Sequence, residues 1–302
     1  MCGIVGFLDK TEKESAAVGQ TILKMLNALD GRGPDSAGVA LYGSRHNGDI
    51  VLKIKLGEKG AFDEKGAQIS ERVQTSGLVR EASTTAEYLH LVMDYQGDPR
   101  QLERLIESVD EDIEVISMGQ KLEILKQVGS PQSLEATYGI SKFVGTHGIG
   151  HTRLSTESRV DLSHSQPFWA HGYPDLAIVH NGHITNYHKL RRCYEQRDVR
   201  FYTGNDSEII GIYLAERLSQ GMTLKEALDA SLIDLDGSFS YLVAIPDALG
   251  FAKDPFALKP LLFTETDNFV AVATEEMAIR AAFEGTYKVH EAQAKEVRIW
   301  PR

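Results

Sequence analysis

The chain has 302 residues, 42 % of them hydrophobic and 25 % charged, an ordinary balance for a globular protein with a sizeable core. A formal net charge of −11 argues against nucleic acid or an anionic membrane surface as the main partner. No apolar run reaches the roughly 18–20 residues of a membrane span. The N-terminus also lacks the basic and long apolar regions of a signal peptide. Two cysteines, Cys2 and Cys193, give no disulfide framework and fit a reducing, cytoplasmic setting.

In chain order, the apolar run Ile4–Leu8 predicts a buried strand directly behind Cys2. Helical spacing of Val18, Ile22, Met25, Leu26 and Leu29 predicts a helix over 16–29. A turn-rich loop, Asp30 to Gly38, follows and is expected to be irregular. Val39–Tyr42 and Ile50–Leu56 read as a strand pair joined across Gly43–Asp49. Composition shifts near residue 60, and residues 60–140 carry their own αβ pattern, expected to be a lobe inserted into the main fold. Within it, Tyr88–Asp94, Ile113–Met118 and Lys121–Gln127 read as strands, and Asp98-Pro99 and Ser130-Pro131 open helices. Beyond it, Phe143–His151 and Leu176–His180 read as strands. Tyr187–Gln196, an amphipathic Ser207–Leu218, Leu224–Leu232 and Glu275–Ala282 read as helices. Ser238–Ile245, Gly250–Lys253, Leu261–Thr264 and Phe269–Ala273 read as a β-meander, with a last strand at Glu296–Trp300. Strands at both ends with helices between predict sheet-on-sheet packing covered by helices.

Five stretches carry candidate chemistry. Removal of Met1 would leave Cys2 with both a thiol and a free α-amine. The thiolate is the attacking species, and a free Cys has a pKa of about 8.5. An α-amine titrates at roughly 7.7–8.0, which suits a general base. The alternative is a core strand preceded by an inert Cys. In Arg32-Gly33-Pro34-Asp35, Arg32 and Asp35 could pair to fix the loop. Arg153 in Gly150-His151-Thr152-Arg153 offers a planar fork for a carboxylate, or is a surface residue. Asn181-Gly182 offers two N–H donors to one oxyanion, or a common hairpin turn. Asp206 in Gly204-Asn205-Asp206-Ser207-Glu208 could receive an ammonium, or cap a helix. Seven of the ten histidines lie between His147 and His188, but their spacing fits no compact zinc signature, and no metal is expected.

Taken together and in order, MCGIVG, RGPDSAG, GHTRLST, QPF, HNG, NDSE and KDPFALKPL resemble the class II glutamine amidotransferases, an N-terminal-nucleophile hydrolase family. The resemblance spans most of residues 1–60 and 141–302. It implies an α+β fold, a four-layer αββα sandwich, forming one amidotransferase domain over 1–302 with an inserted αβ lobe. It implies glutaminase chemistry: L-glutamine hydrolysed to glutamate and ammonia through a glutamyl thioester. Carried over by position, Cys2 is the nucleophile and Asn181 and Gly182 form the oxyanion hole. Arg153, with Thr156 beside it, grips the α-carboxylate, Asp206 receives the α-ammonium, and Arg32 supports the Cys2 loop. Glu157 stands where some relatives place a His, and Lys253 where the family usually has Arg.

The narrower resemblance is to the stand-alone amidotransferase subunit of split glutamate-synthase-like enzymes such as N-methylglutamate synthase. It implies an oligomer whose ammonia-accepting synthase subunits are separate chains. No cofactor is expected in this chain, and flavin or iron–sulfur centres would lie on those partners. Two alternatives stay open: an amidohydrolase acting on other γ-glutamyl compounds, and a non-catalytic regulatory or binding subunit.

Overall fold

A computed structural model describes residues 2–11, 16–44, 48–155 and 159–302. The elements in chain order are β1 (Gly3–Asp9), α1 (Val18–Ala28), β2 (Ser36–Tyr42), β3 (Ile50–Lys55), α2 (Phe62–Val73), β4 (Leu78–Thr85), β5 (Tyr88–Asp94), α3 (Pro99–Glu107), β6 (Glu114–Gly119), β7 (Leu122–Val128), α4 (Pro131–Tyr138) and β8 (His147–Arg153). They continue with β9 (Phe168–Trp169), β10 (Ala177–Ile184), α5 (Tyr187–Glu195), α6 (Ser207–Ser219), α7 (Leu224–Asp234), β11 (Gly237–Ile245), β12 (Ala248–Lys253), β13 (Leu262–Glu265), β14 (Phe269–Ala273), α8 (Glu276–Ala282), β15 (His290–Glu291) and β16 (Val297–Pro301).

The apolar run behind Cys2 does not alternate because β1 is covered on both faces. Ile4 and Leu8 point into the core between two sheets, and Val5 and Phe7 into a second core beneath α1 and α8. β1 is central in a seven-stranded sheet of order β15-β13-β14-β1-β8-β2-β7. A five-stranded sheet, β16-β12-β11-β10-β9, packs on its inner face. On the outer face of this second sheet, α6 and α7 cover a third core that includes Ile209, Leu228 and Tyr241. The result is the helix–sheet–sheet–helix sandwich that the sequence led us to expect.

The small sheet β4-β5-β3-β6 stands apart from those two, with α2 and α3 against it. It takes β3 from ahead of residue 60, while β7 leaves it to pair with β2 along the edge of the large sheet. Local signals set its helices as the sequence indicated. Asp98 caps α3 by accepting from Arg100 N–H, and Ser130 caps α4 through Ser133 N–H. No helix among the described residues is long and apolar enough to cross a membrane.

Four local expectations are corrected. The strands predicted as a pair across Gly43–Asp49 do not pair: β2 lies between β7 and β8, and β3 between β5 and β6. The predicted meander is split, β11 and β12 joining the five-stranded sheet and β13 and β14 the seven-stranded one. The loop after α1 is shorter than expected, a 3₁₀ turn over Asp30–Arg32 with β2 beginning at Ser36. Finally, α6 is buried on every side from Ser207 to Ala215, as a helix packed between a sheet and other helices must be.

Candidate active site

Cys2 sits at the entrance to β1, where several segments distant in sequence converge. The β1–β8 register pairs Gly3 with Thr152, so Cys2 emerges beside Arg153 and Leu154. Its half-buried thiol lies 3.8 Å from the carbonyl of Leu154. The Cys2 carbonyl accepts from Asn181 Nδ2 at 3.2 Å and from Arg32 Nε at 3.4 Å. Arg32 is held in turn by an ion pair with Glu275. Asn181 and Arg32 thus hold the backbone of Cys2 while its thiol stays partly accessible.

Arg153 ends β8 and is buried. Its Nη1 donates to Arg159 O at 2.8 Å. Burial lowers its pKa, opposed by nearby Cys2, Asp161 and Asp35. The RGPD turn is bound to the same strand end. Asp35 N–H donates to Arg153 O at 3.0 Å, and Asp35 Oδ2 accepts from Ser155 N–H at 2.7 Å. Rather than closing the Arg32–Asp35 pair considered from the sequence, these residues reach outward to Cys2, Glu275 and Ser155. Gly33 allows the contact, because a Cβ there would lie 2.6 Å from the Arg153 backbone. Thr156 and Glu157 lie outside the described residues.

The Asn-Gly pair is not a hairpin turn. Asn181 and Gly182 lie within β10, opposite Ser240 and Phe239 of β11. Gly182 has φ +141, and a Cβ on it would fall 2.2 Å from Ser238 O, so no other residue fits this kink. Asp254 fixes the facing strand: Oδ2 accepts from Phe239 N–H at 3.0 Å and Oδ1 from Phe256 N–H at 2.6 Å. Beside it, Lys253 is fully buried and donates to Ala292 O at 2.9 Å.

Asp206 precedes α6 without capping it by its side chain. Instead Oδ2 turns back to β10 and accepts from Ile184 N–H at 2.7 Å, while Oδ1 lies 3.8 Å from His180 Nδ1. The neighbouring Glu208 accepts from Tyr202 N–H and Thr203 N–H at 2.7 and 3.1 Å. Gln166 clamps His180 from both ends of its amide, Oε1 accepting from His180 N–H at 2.6 Å and Nε2 donating to His180 O at 3.1 Å. Sequence reasoning assigned no task to Gln166, Glu208, Asp254 or Glu275, although the first three lie in motifs it quoted.

The clustered histidines are dispersed into separate tasks. His147 stacks on Tyr42 and bonds Ile245 O; His151 donates through Nε2 to His180 O at 3.2 Å. Burial drives both down to about 3. His164 bonds Asp161, and His171 bonds Glu103. Among the described residues, no group of three His, Cys, Asp or Glu side chains could hold a metal ion.

One feature behind Arg153 has no counterpart in the motifs. The loop 159–165, which receives the Arg153 guanidinium, is tied to the small sheet. Ser163 Oγ bonds both Lys55 Nζ and Glu114 Oε2, and Lys55 pairs with Glu114 at 3.0 Å. Burial pushes the Glu114 carboxyl up, but Lys55, Lys126 and Ser163 outweigh it and hold it below the ordinary range. Lys126 is buried over the Phe168 ring, 4.9 Å from its centroid. Burial and Lys55 bring it to about 8 against the pull of Glu114.

The geometry and the fold define a class, and the comparisons agree on it. The glutamine amidotransferase domain family matches residues 151–281. A provisionally named glutamine amidotransferase of Methanothermobacter thermautotrophicus is 37 % identical over 306 residues, covering 99 % of each chain. The glutamine amidotransferase-like protein GlxB of Rhizobium meliloti is 33 % identical, over 99 % of this chain and 95 % of its own. Among solved structures, the Bacillus subtilis glutamine phosphoribosylpyrophosphate amidotransferase superposes with TM-score 0.62 at 21 % identity, over 99 % of this chain and 47 % of that one. This last match shows the N-terminal-nucleophile hydrolase fold. The chain belongs to the glutamine amidotransferase family.

Proposed function

We propose that the protein is a glutaminase in which Cys2, freed of Met1, attacks the side-chain amide of L-glutamine. The observation that carries this reading is the convergence of Asn181 and Arg32 on the Cys2 carbonyl, with Arg153 buried alongside. In the proposed sequence the α-amine of Cys2 takes the thiol proton and the sulfur bonds the amide carbon. The oxyanion that forms is met by Asn181 Nδ2 and Gly182 N–H. Such donors contribute about 3–4 kcal/mol to lowering a barrier. The C–N bond then breaks, ammonia leaves with the transferred proton, and water cleaves the glutamyl thioester to glutamate and free thiol. Arg153 takes the substrate α-carboxylate bidentately and Asp206 its α-ammonium. Arg32 holds the Cys2 backbone against recoil, and Thr156 is assigned to the carboxylate side by resemblance alone.

The ammonia is proposed to pass to a glutamate-synthase-like partner chain, with flavin or iron–sulfur chemistry confined to that partner. Support for this narrower step is the family resemblance of the quoted motifs. Ammonia release from glutamine by wild type and Cys2→Ala tests the catalytic reading. Loss of activity with the fold intact is expected, and wild-type rates in the variant would overturn it. Co-purification from the native source tests the partner.

A further inference from the structure

A second site lies away from Cys2. A cleft of about 400 Å³ opens between α3 of the small-sheet region and the segment running from the end of α5 through Tyr202, with α6 as its floor. Four guanidinium groups line it: Arg100 and Arg104 from α3, and Arg197 and Arg200 opposite. The lining glutamates are already occupied by protein donors. Glu103 Oε1 accepts from His171 Nδ1 at 2.6 Å and Tyr202 OH at 2.7 Å. Glu107 takes Val115 N–H on Oε1, and Arg200 and Tyr202 OH on Oε2. Glu216 takes Arg197 and Tyr194 OH.

That leaves Arg100 and Arg104, which carry no side-chain hydrogen bond or ion pair among the described residues, against one similarly unpaired acid, Asp198 at the rim. Arg100 and Arg104 are four residues apart on α3 and therefore share a face. The Arg100 side chain lies against Gly172, where a Cβ would fall 2.6 Å from Arg100 Nε. The apolar part of the lining is Val199 with Ile212 and Ala215 of α6. Tyr202, stacked on His171 at 3.9 Å, closes one wall.

We propose that this cleft binds a small organic dianion. Its paired anionic oxygens would meet Arg100 and Arg104, and its apolar body would lie on Val199, Ile212 and Ala215. Planar guanidinium pairs suit phosphate and carboxylate alike, so the shared chemistry is two adjacent anionic oxygens on an apolar frame. An occupant would touch Tyr202, whose N–H bonds Glu208 two residues from Asp206, placing the cleft one hydrogen bond behind the segment that carries Asp206. The inference stands apart from the glutaminase reading.

Calorimetric titration of the full chain with phenyl phosphate and with phthalate tests it, with benzyl alcohol as the uncharged control. Fluorescence of Trp169, 4.8 Å from the His171 ring, is an independent readout. At least one dianion is expected to bind one-to-one with a Kd tighter than about 5 mM, and which one binds separates phosphate esters from carboxylates. The double variant Arg100→Ser/Arg104→Ser should weaken that binding by about tenfold or more. Arg104→Gln alone is a milder second variant should the double one fold poorly. Failure of both dianions to bind in this range, binding equal to that of benzyl alcohol, or unchanged binding by the folded variants would overturn the proposal.

Discussion

The two large sheets and the small one stabilise the same site in different ways. The seven- and five-stranded sheets bring β1, β8 and β10 together by apolar packing, and their ends present Cys2, Arg153 and Asn181-Gly182. The small sheet reaches the site through charge, by way of Lys55, Glu114 and Ser163 to the loop that receives Arg153. Apolar packing sets position over a whole strand and tolerates modest change. A buried ion pair fixes one loop, and loss of either partner leaves an uncompensated charge. The central sheets therefore position the proposed catalytic residues, and the small sheet is tied to the loop behind Arg153.

That contrast can be broken most severely at Glu114. Glu114→Gln leaves Lys55 and Lys126 buried without their shared carboxylate and should cost about 3–5 kcal/mol of stability, read from urea unfolding. At temperatures where it stays folded, its KM for glutamine should rise more than its kcat falls. An equal fall in kcat with KM unchanged would mean the tie acts elsewhere. Next comes Asn181→Ala in the central sheet, expected to lower kcat by roughly 10²–10³-fold, about 2.7–4 kcal/mol, with a smaller effect on stability. Arg153→Lys keeps the charge and loses the fork. Its cost should be about 1.5–3 kcal/mol in kcat/KM, chiefly through KM.

A pH experiment separates the sheets further. His147 and His151 lie between the large sheets with pKa values pushed down by burial to about 3, against about 6.5 in an unfolded chain. Unfolded protein binds more protons between those values, so stability should be full above pH 6.5 and fall as pH drops from there towards 3. Each histidine contributes a slope of about 1.4 kcal/mol per pH unit at most. His171 runs the other way. Glu103 raises it above its ordinary value despite burial, so its contribution is present below pH 6.5 and is lost as pH rises through the folded value. His147→Gln should flatten the acid limb, measured as urea midpoint against pH. The smallest effect belongs to the exposed pair Lys225–Asp229 on α7, where Lys225→Ala should change stability by less than about 0.5 kcal/mol.

The candidate site was legible only through the order of its motifs. Arg153, Asn181, Gly182 and Asp206 each have an ordinary structural alternative when taken alone, and it is the family resemblance of the whole series that singles them out. The helix starts at Asp98-Pro99 and Ser130-Pro131 were legible locally, from the turn residue and the proline beside it. What could not be read was which sheet a strand would join. The turn signals around Gly250–Lys253 and Leu261–Thr264 are alike whether the next strand pairs with its neighbour or crosses to the other sheet. The Lys55–Glu114–Ser163 tie was also invisible, since its members are dispersed along the chain and each alone looks like a surface residue. The α6 helix misled because its periodic apolar residues indicated one buried face, and only the packed fold shows the other faces covered as well.

The central claim is that Cys2, as the first residue of the active chain, attacks a glutamyl carbonyl. Mass spectrometry after treatment with the glutamine-like electrophile 6-diazo-5-oxo-norleucine tests it most directly. The account predicts one covalent adduct, on the thiol of an N-terminal peptide that begins at Cys2. An unlabelled Cys2, a label on Cys193 instead, or an adduct on active protein that still carries Met1 would contradict it.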